Sequence, residues 1–233
     1  TRLVGSEMCI RDSLSAAAKE NIHNQGKLLA GENMDIYAGK TLDNAGHAME
    51  SGNNLSIETG DAINNAAGII KSGGSQQIKA GHTLTNTEGT LAADGNINIQ
   101  TGRMTGDGIV SAGKKAGILL EKDFTNTGRL EAGSSLSLAV KGNITNRKEI
   151  LSRGHLALES KNIRNEETGE IKGADTETVA ENTWVNHGLV NGENVHIRAN
   201  HITNENTGRI YGTRLSVETH TLDNLGTCLL YTS

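Results

Sequence analysis

About every 20 residues in this chain, an apolar side chain is followed two positions later by asparagine. The copies are Ile22 to Asn24, Leu42 to Asn44, Ile63 to Asn65, Leu84 to Asn86, Phe124 to Asn126, Ile144 to Asn146, Ile163 to Asn165, Trp184 to Asn186, Ile202 to Asn204 and Leu222 to Asn224. Met104-Thr105-Gly106 fills the one gap, with glycine where asparagine is due. Upstream of these anchors lie alternating pairs such as Met34 and Ile36, Leu55 and Ile57, Ile97 and Ile99, Leu136 and Leu138, and Val195 and Ile197. That is the period of two of a half-buried strand. Downstream comes an aliphatic residue and then glycine, as in Leu130 before Gly133, Val190 before Gly192 and Ile210 before Gly212.

A repeat near 20 residues belongs to solenoids rather than to a single globular core. Three apolar runs of two to five residues leave no room for a useful helix, and the runs are too short to pair with each other as hairpins. Single Gly and Asn separators suit corners. The fold expected is therefore all-β: a right-handed parallel β-helix with about 20 residues and three short strands per coil, each strand pairing with its counterpart in the next coil. One coil alone cannot hold, because ordering its backbone costs more than its few aliphatic side chains return; stability has to propagate from neighbour to neighbour. Eleven anchors stacked at about 4.8 Å predict a rod of roughly 50 Å. An aromatic content of 2% with no proline fits so narrow an interior. Asparagine at the corner has two explanations, a ladder of stacked side-chain amides or tolerance of a left-handed backbone, and the second predicts the substitution by Gly106.

Copies such as LEAGSSLSLAVKGNITN and LAADGNINIQTGRMTG resemble the haemagglutinin repeats of filamentous haemagglutinin and related two-partner secretion exoproteins, including the stalks of contact-dependent inhibition toxins. The resemblance covers residues 14–226. It implies a secreted or cell-surface bacterial protein, exported through an outer-membrane two-partner secretion transporter that reads an amino-terminal domain outside this sequence. It further implies a structural shaft, not an enzyme, whose partners are host or neighbouring cells. Adhesion and display of a distal toxin or effector domain both remain open, and a β-helix polysaccharide lyase or hydrolase is the weaker alternative.

The two ends read differently. Residues 1–13 (TRLVGSEMCIRDS) and 227–233 (TCLLYTS) do not continue the alternation. They resemble translated sequencing-adaptor tails, so both are expected to be non-native, with the repeat region at 14–226. Both cysteines, Cys9 and Cys228, lie there. At opposite ends of an elongated object they could not come within the ~7 Å a disulfide needs. No signal peptide is evident at Thr1, so an export signal is expected upstream.

Several stretches invite a catalytic or ligand-binding reading. Gly108 to Lys115 comes close to a phosphate-binding loop, but Lys115 stands where a metal-binding Ser or Thr belongs and both glycines fall at positions the repeat already requires. His196 and His201 do not have the spacing of a zinc pair, and His196 alternates outward between Val195 and Ile197. Asp43 and Asp223 share the position before the anchor Asn but are about nine coils, roughly 40 Å, apart, far beyond a catalytic carboxylate pair. Glu166, Glu167 and Glu170 cluster in a widened corner, and no calcium-binding GGxGxD nonapeptide occurs. Trp184 is expected to fill the core. No catalytic residue, cofactor or metal is assigned. A net charge of −5 without Lys/Arg clusters argues against nucleic acid, and no apolar run is long enough for a membrane-spanning helix. The corners at 165–169 and 204–208 and the outward threonine rows are the places where a partner contact is expected.

Overall fold

The computed structural model describes residues 12–230 together with strands Arg2–Leu3 and Glu7–Ile10. The chain divides into two compact units, residues 1–119 and 120–233. Each is a parallel β-solenoid. All the regular structure among the described residues is strand.

In the first unit, side chains of like position stack in columns. One first-run column is Ala16, Ile36, Ile57, Ile78 and Ile99, each in register with the next. The anchors Ile22, Leu42, Ile63, Leu84 and Met104 form a second column. Leu28, Met49, Ile70, Leu91 and Val110 form the third. Nearly all of these side chains are buried, Ile57, Ile78 and Ile70 completely. The period of two sends one face of each strand inward, and in-register stacking places every inward aliphatic between two others.

The second unit repeats the plan. Its anchor column runs Phe124, Ile144, Ile163, Trp184, Ile202 and Leu222, and its third-run column Leu130, Ile150, Ile171, Val190 and Ile210. Trp184 is fully buried, as expected for a core residue. Its coil carries Thr176 and Thr178 where the coil before it has Leu156 and Leu158. The bulkiest anchor thus sits in the coil with the smallest first-run residues, which keeps the interior volume even.

The three short strands expected per coil are distinct in most coils. In four they are not, because Gln76–Thr85, Ile97–Thr105, His155–Asn165 and Asp175–Asn186 carry the first run into the second as one strand. The pairing register shifts between Ala80 and Thr83 and between Ser160 and Asn162, so a bulge turns the chain there in place of a corner.

The terminal segments expected to be foreign take positions in the stack. Glu7–Ile10 pairs with Lys27–Ala30, and Thr227–Leu230 with Arg209–Gly212. Main-chain pairing needs no particular side chains, so the free edge of a coil templates whatever chain adjoins it. Cys228 is a free, exposed thiol, while the side chain of Cys9 lies outside the described residues. No helix among the described residues is long and apolar enough to cross a membrane.

Candidate functional site

The corner asparagines are the most regular polar feature, and from Asn24 to Asn204 they are buried. In the first unit the Asn24 amide donates to Asn44 Oδ1 at 2.7 Å, Asn44 to Asn65 at 2.8 Å and Asn65 to Asn86 at 2.9 Å. In the second the ladder runs Asn126, Asn146, Asn165, Asn186 and Asn204, each donating to the next, and ends on Asn224 as acceptor, each step 2.8 or 2.9 Å. The same Nδ2 groups also donate to corner carbonyls, Asn44 to His47 and Ile69 and Asn65 to Gly68 and Thr90. Of the two explanations for asparagine the ladder holds, since among the described residues the non-glycine positions with positive φ are Ala67 and Glu88, two residues beyond Asn65 and Asn86 and not at the asparagines. These buried amides are spent on the fold and offer nothing to a ligand.

The motif near Gly108 is likewise absorbed. Its backbone N–H groups, which would have to cradle phosphate, are spent on the preceding coil: Gly108 on Asn86 O, Gly113 on Ala93 O and Lys114 on Gly95 O. A Cβ on Gly108 would lie 2.1 Å from Asn86 O, so close backbone approach explains this glycine. His196 is half-buried on the outer face with Nε2 3.8 Å from Glu218, and His201 Nδ1 meets the Thr221 hydroxyl at 2.6 Å. Asp43 accepts from Ala45 N and Asn64 Nδ2 and lies 3.6 Å from His23, while Asp223 is exposed in the other unit. Glu166 pairs with Arg164 at 3.1 Å, and Glu167 is exposed at the tip of its corner. Among the described residues no group of three or more His, Cys, Asp or Glu is placed to hold a metal.

Both wide corners are tied down. Thr168 donates to Arg147 O at 2.7 Å and Thr207 to His187 O at 2.8 Å, each reaching back one coil. The outward threonines also stack: Thr85 and Thr105 in the first unit share a hydroxyl contact of 3.4 Å, and Thr125 is in register with Thr145 in the second.

A surface feature the sequence reading passed over is an open groove of about 850 Å³ on the second unit. His155, Asp175, Asn194 and Arg214 form one outward column along it, and Glu177, His196 and Ser216 a second. Arg214 Nε donates to Asn194 Oδ1 at 2.7 Å, and the Asn194 amide donates to Asp175. The wall is a chain of guanidinium, amide and carboxylate in which Arg214 donates to Asn194 and Asn194 to Asp175. Such a wall can hydrogen-bond a polar partner. Comparing outward positions from coil to coil would have revealed these columns, whereas scanning for motifs along the chain does not.

Elsewhere the outer surface is laced by ion pairs between coils: Lys79 with Glu58 at 2.8 Å and Lys27 with Glu50 at 3.2 Å in the first unit, Lys141 with Glu121 at 2.6 Å and Arg129 with Glu149 at 3.0 Å in the second. Lys40 pairs with Glu20 in the same way. Hydrogen bonding to these carboxylates raises the pKa of Lys40 and Lys79.

Comparison with known families gives a match to the haemagglutinin repeat over residues 10–100, 72–183 and 185–224. No curated protein and no solved structure matches the chain.

Proposed function

Because the chain belongs to the haemagglutinin-repeat family of filamentous haemagglutinin, we propose that it is a stretch of structural shaft from a large secreted or cell-surface exoprotein. Its work is mechanical: it gives reach, and it presents either its own outer rows or a distal effector domain to a host or neighbouring cell. The observation that carries this reading is the family match across nearly the whole chain, combined with an interior given over to stacking in each unit. Export through a two-partner secretion transporter, and the alternative role as the stalk of a contact-dependent inhibition toxin, belong to the same proposal. The non-enzymatic reading rests on the haemagglutinin-repeat family.

Antibody raised against the chain should label intact bacteria that produce the whole protein. Labelling only after lysis would sink the reading. Beads coated with the chain separate its two forms: retained cells mean that this stretch itself adheres, and unretained cells mean that it displays something else. If the wide corner is the contact, deleting Glu166 and Glu167 should abolish retention; unchanged retention rules that corner out.

A further inference from the structure

The coil formed by residues 97–116 differs from the others in the first unit at several points. Gly106 stands where the amide ladder needs asparagine, at φ 108°. Asn86 Nδ2 therefore still reaches Ile109 O at 3.1 Å, but it has no side-chain oxygen of the next coil to donate to. Backbone stacking continues unbroken through Asn86 N to Thr105 O, Gly108 N to Asn86 O and Ile109 N to Gly89 O, all at 2.8 or 2.9 Å. What is lost is the buried side-chain rung. The anchor is a flexible methionine, Met104, 6% exposed where Leu84 is fully buried.

We infer that residues 97–116 form a built-in weak coil, a segment that opens locally before the rest of its unit and lets a stretched chain yield at a set place. Local opening follows the interactions a segment lacks. This one keeps its main-chain pairing and core while lacking the amide that fixes the neighbouring corners, so it opens and recloses without a change of register. A solenoid in which stability passes from coil to coil gives along its weakest interface.

Hydrogen exchange on the intact 233-residue chain tests this directly. Amides of residues 104–112 should exchange about fivefold or more faster than their counterparts at 84–93 and 144–152, the effect expected of one missing buried hydrogen bond. Equal or slower exchange at 104–112 overturns the inference. Asn146→Gly transplants the break into the second unit. It should create a new fast-exchanging segment at 144–152 and leave 104–112 unchanged, whereas a uniform rise across residues 120–233 would show that a missing rung does not localise opening. If that variant fails to fold, the wild-type comparison alone decides.

Discussion

At the scale of single residues, the asparagine ladder is the costliest feature to disturb. Asn65 has no exposed surface, accepts from Asn44 and donates to Asn86, Gly68 and Thr90. Asn65→Ala leaves a donor and several acceptors unpaired in the interior, and should lower stability by about 2–4 kcal/mol, read from the urea midpoint. Two other substitutions should move stability in opposite directions. Ala67 sits at φ 51°, a conformation costly for any residue with a Cβ, and it is exposed. Ala67→Gly should therefore stabilise by about 0.5–1 kcal/mol. Gly60→Ala should do the reverse, because its Cβ would lie 2.2 Å from Gly39 O in the coil below. The backbone would have to shift, at a cost of about 1–3 kcal/mol or more.

At the scale of the coil, each strand is held by main-chain bonds to its neighbours, by an inward aliphatic column and by outward ion pairs. The ion pairs are exposed and contribute least. Their signature lies in pH. Lys79 is hydrogen-bonded to Glu58, which raises its pKa above the ordinary 10.5. A raised folded-state pKa means that its stabilisation is complete below the ordinary lysine range and disappears as pH rises through the folded value. Wild type and Lys79→Met should thus differ slightly in thermal midpoint at pH 8 in low salt and converge at strongly alkaline pH. High salt should produce the same convergence. The coil also explains the glycine-rich stretch near Gly108: its amides point at the coil below, where carbonyls already occupy them.

For the whole molecule, the unit of tolerated change should be the coil and not the residue. Residues 136–155 make up one repeat, with Leu136 in register with Leu156. Deleting those 20 residues joins Ser135 to Leu156 and should preserve the cooperative unfolding transition and the β signal per residue. Deleting only residues 136–145 should abolish that transition, because every following inward side chain would lose its column. The end of the second unit has a different liability. Leu222 and Leu225 are 53% and 60% exposed, while Ile202, one coil back, is 2% exposed. Strand Thr221–Asn224 is paired with His201–Asn204 on one side. Such an edge invites further strands, so light scattering by the isolated chain should rise with concentration, and Leu222→Lys with Leu225→Glu should suppress it. A soluble monomer at high concentration would contradict this.

The chain's own order of residues determined the period, the inward positions and the pairing. A side-chain alternation of two and a repeat near 20 admit one register in which aliphatic lies over aliphatic, as Ile57, Ile78 and Ile99 do. The asparagine corner was legible too, though not its reason, since a ladder and a left-handed backbone call for the same residue until the φ angles are known. Only the tertiary structure decided what neighbours from different coils do together. The guanidinium–amide–carboxylate column of Arg214, Asn194 and Asp175 brings together residues about 20 positions apart in the chain. The runs that pass from first to second strand without a corner depend on a bulge, which no local residue pattern announces. Periodicity fixes what faces inward because burial is enforced in every coil; the outer surface carries no such constraint, and its arrangement exists only once the coils are stacked.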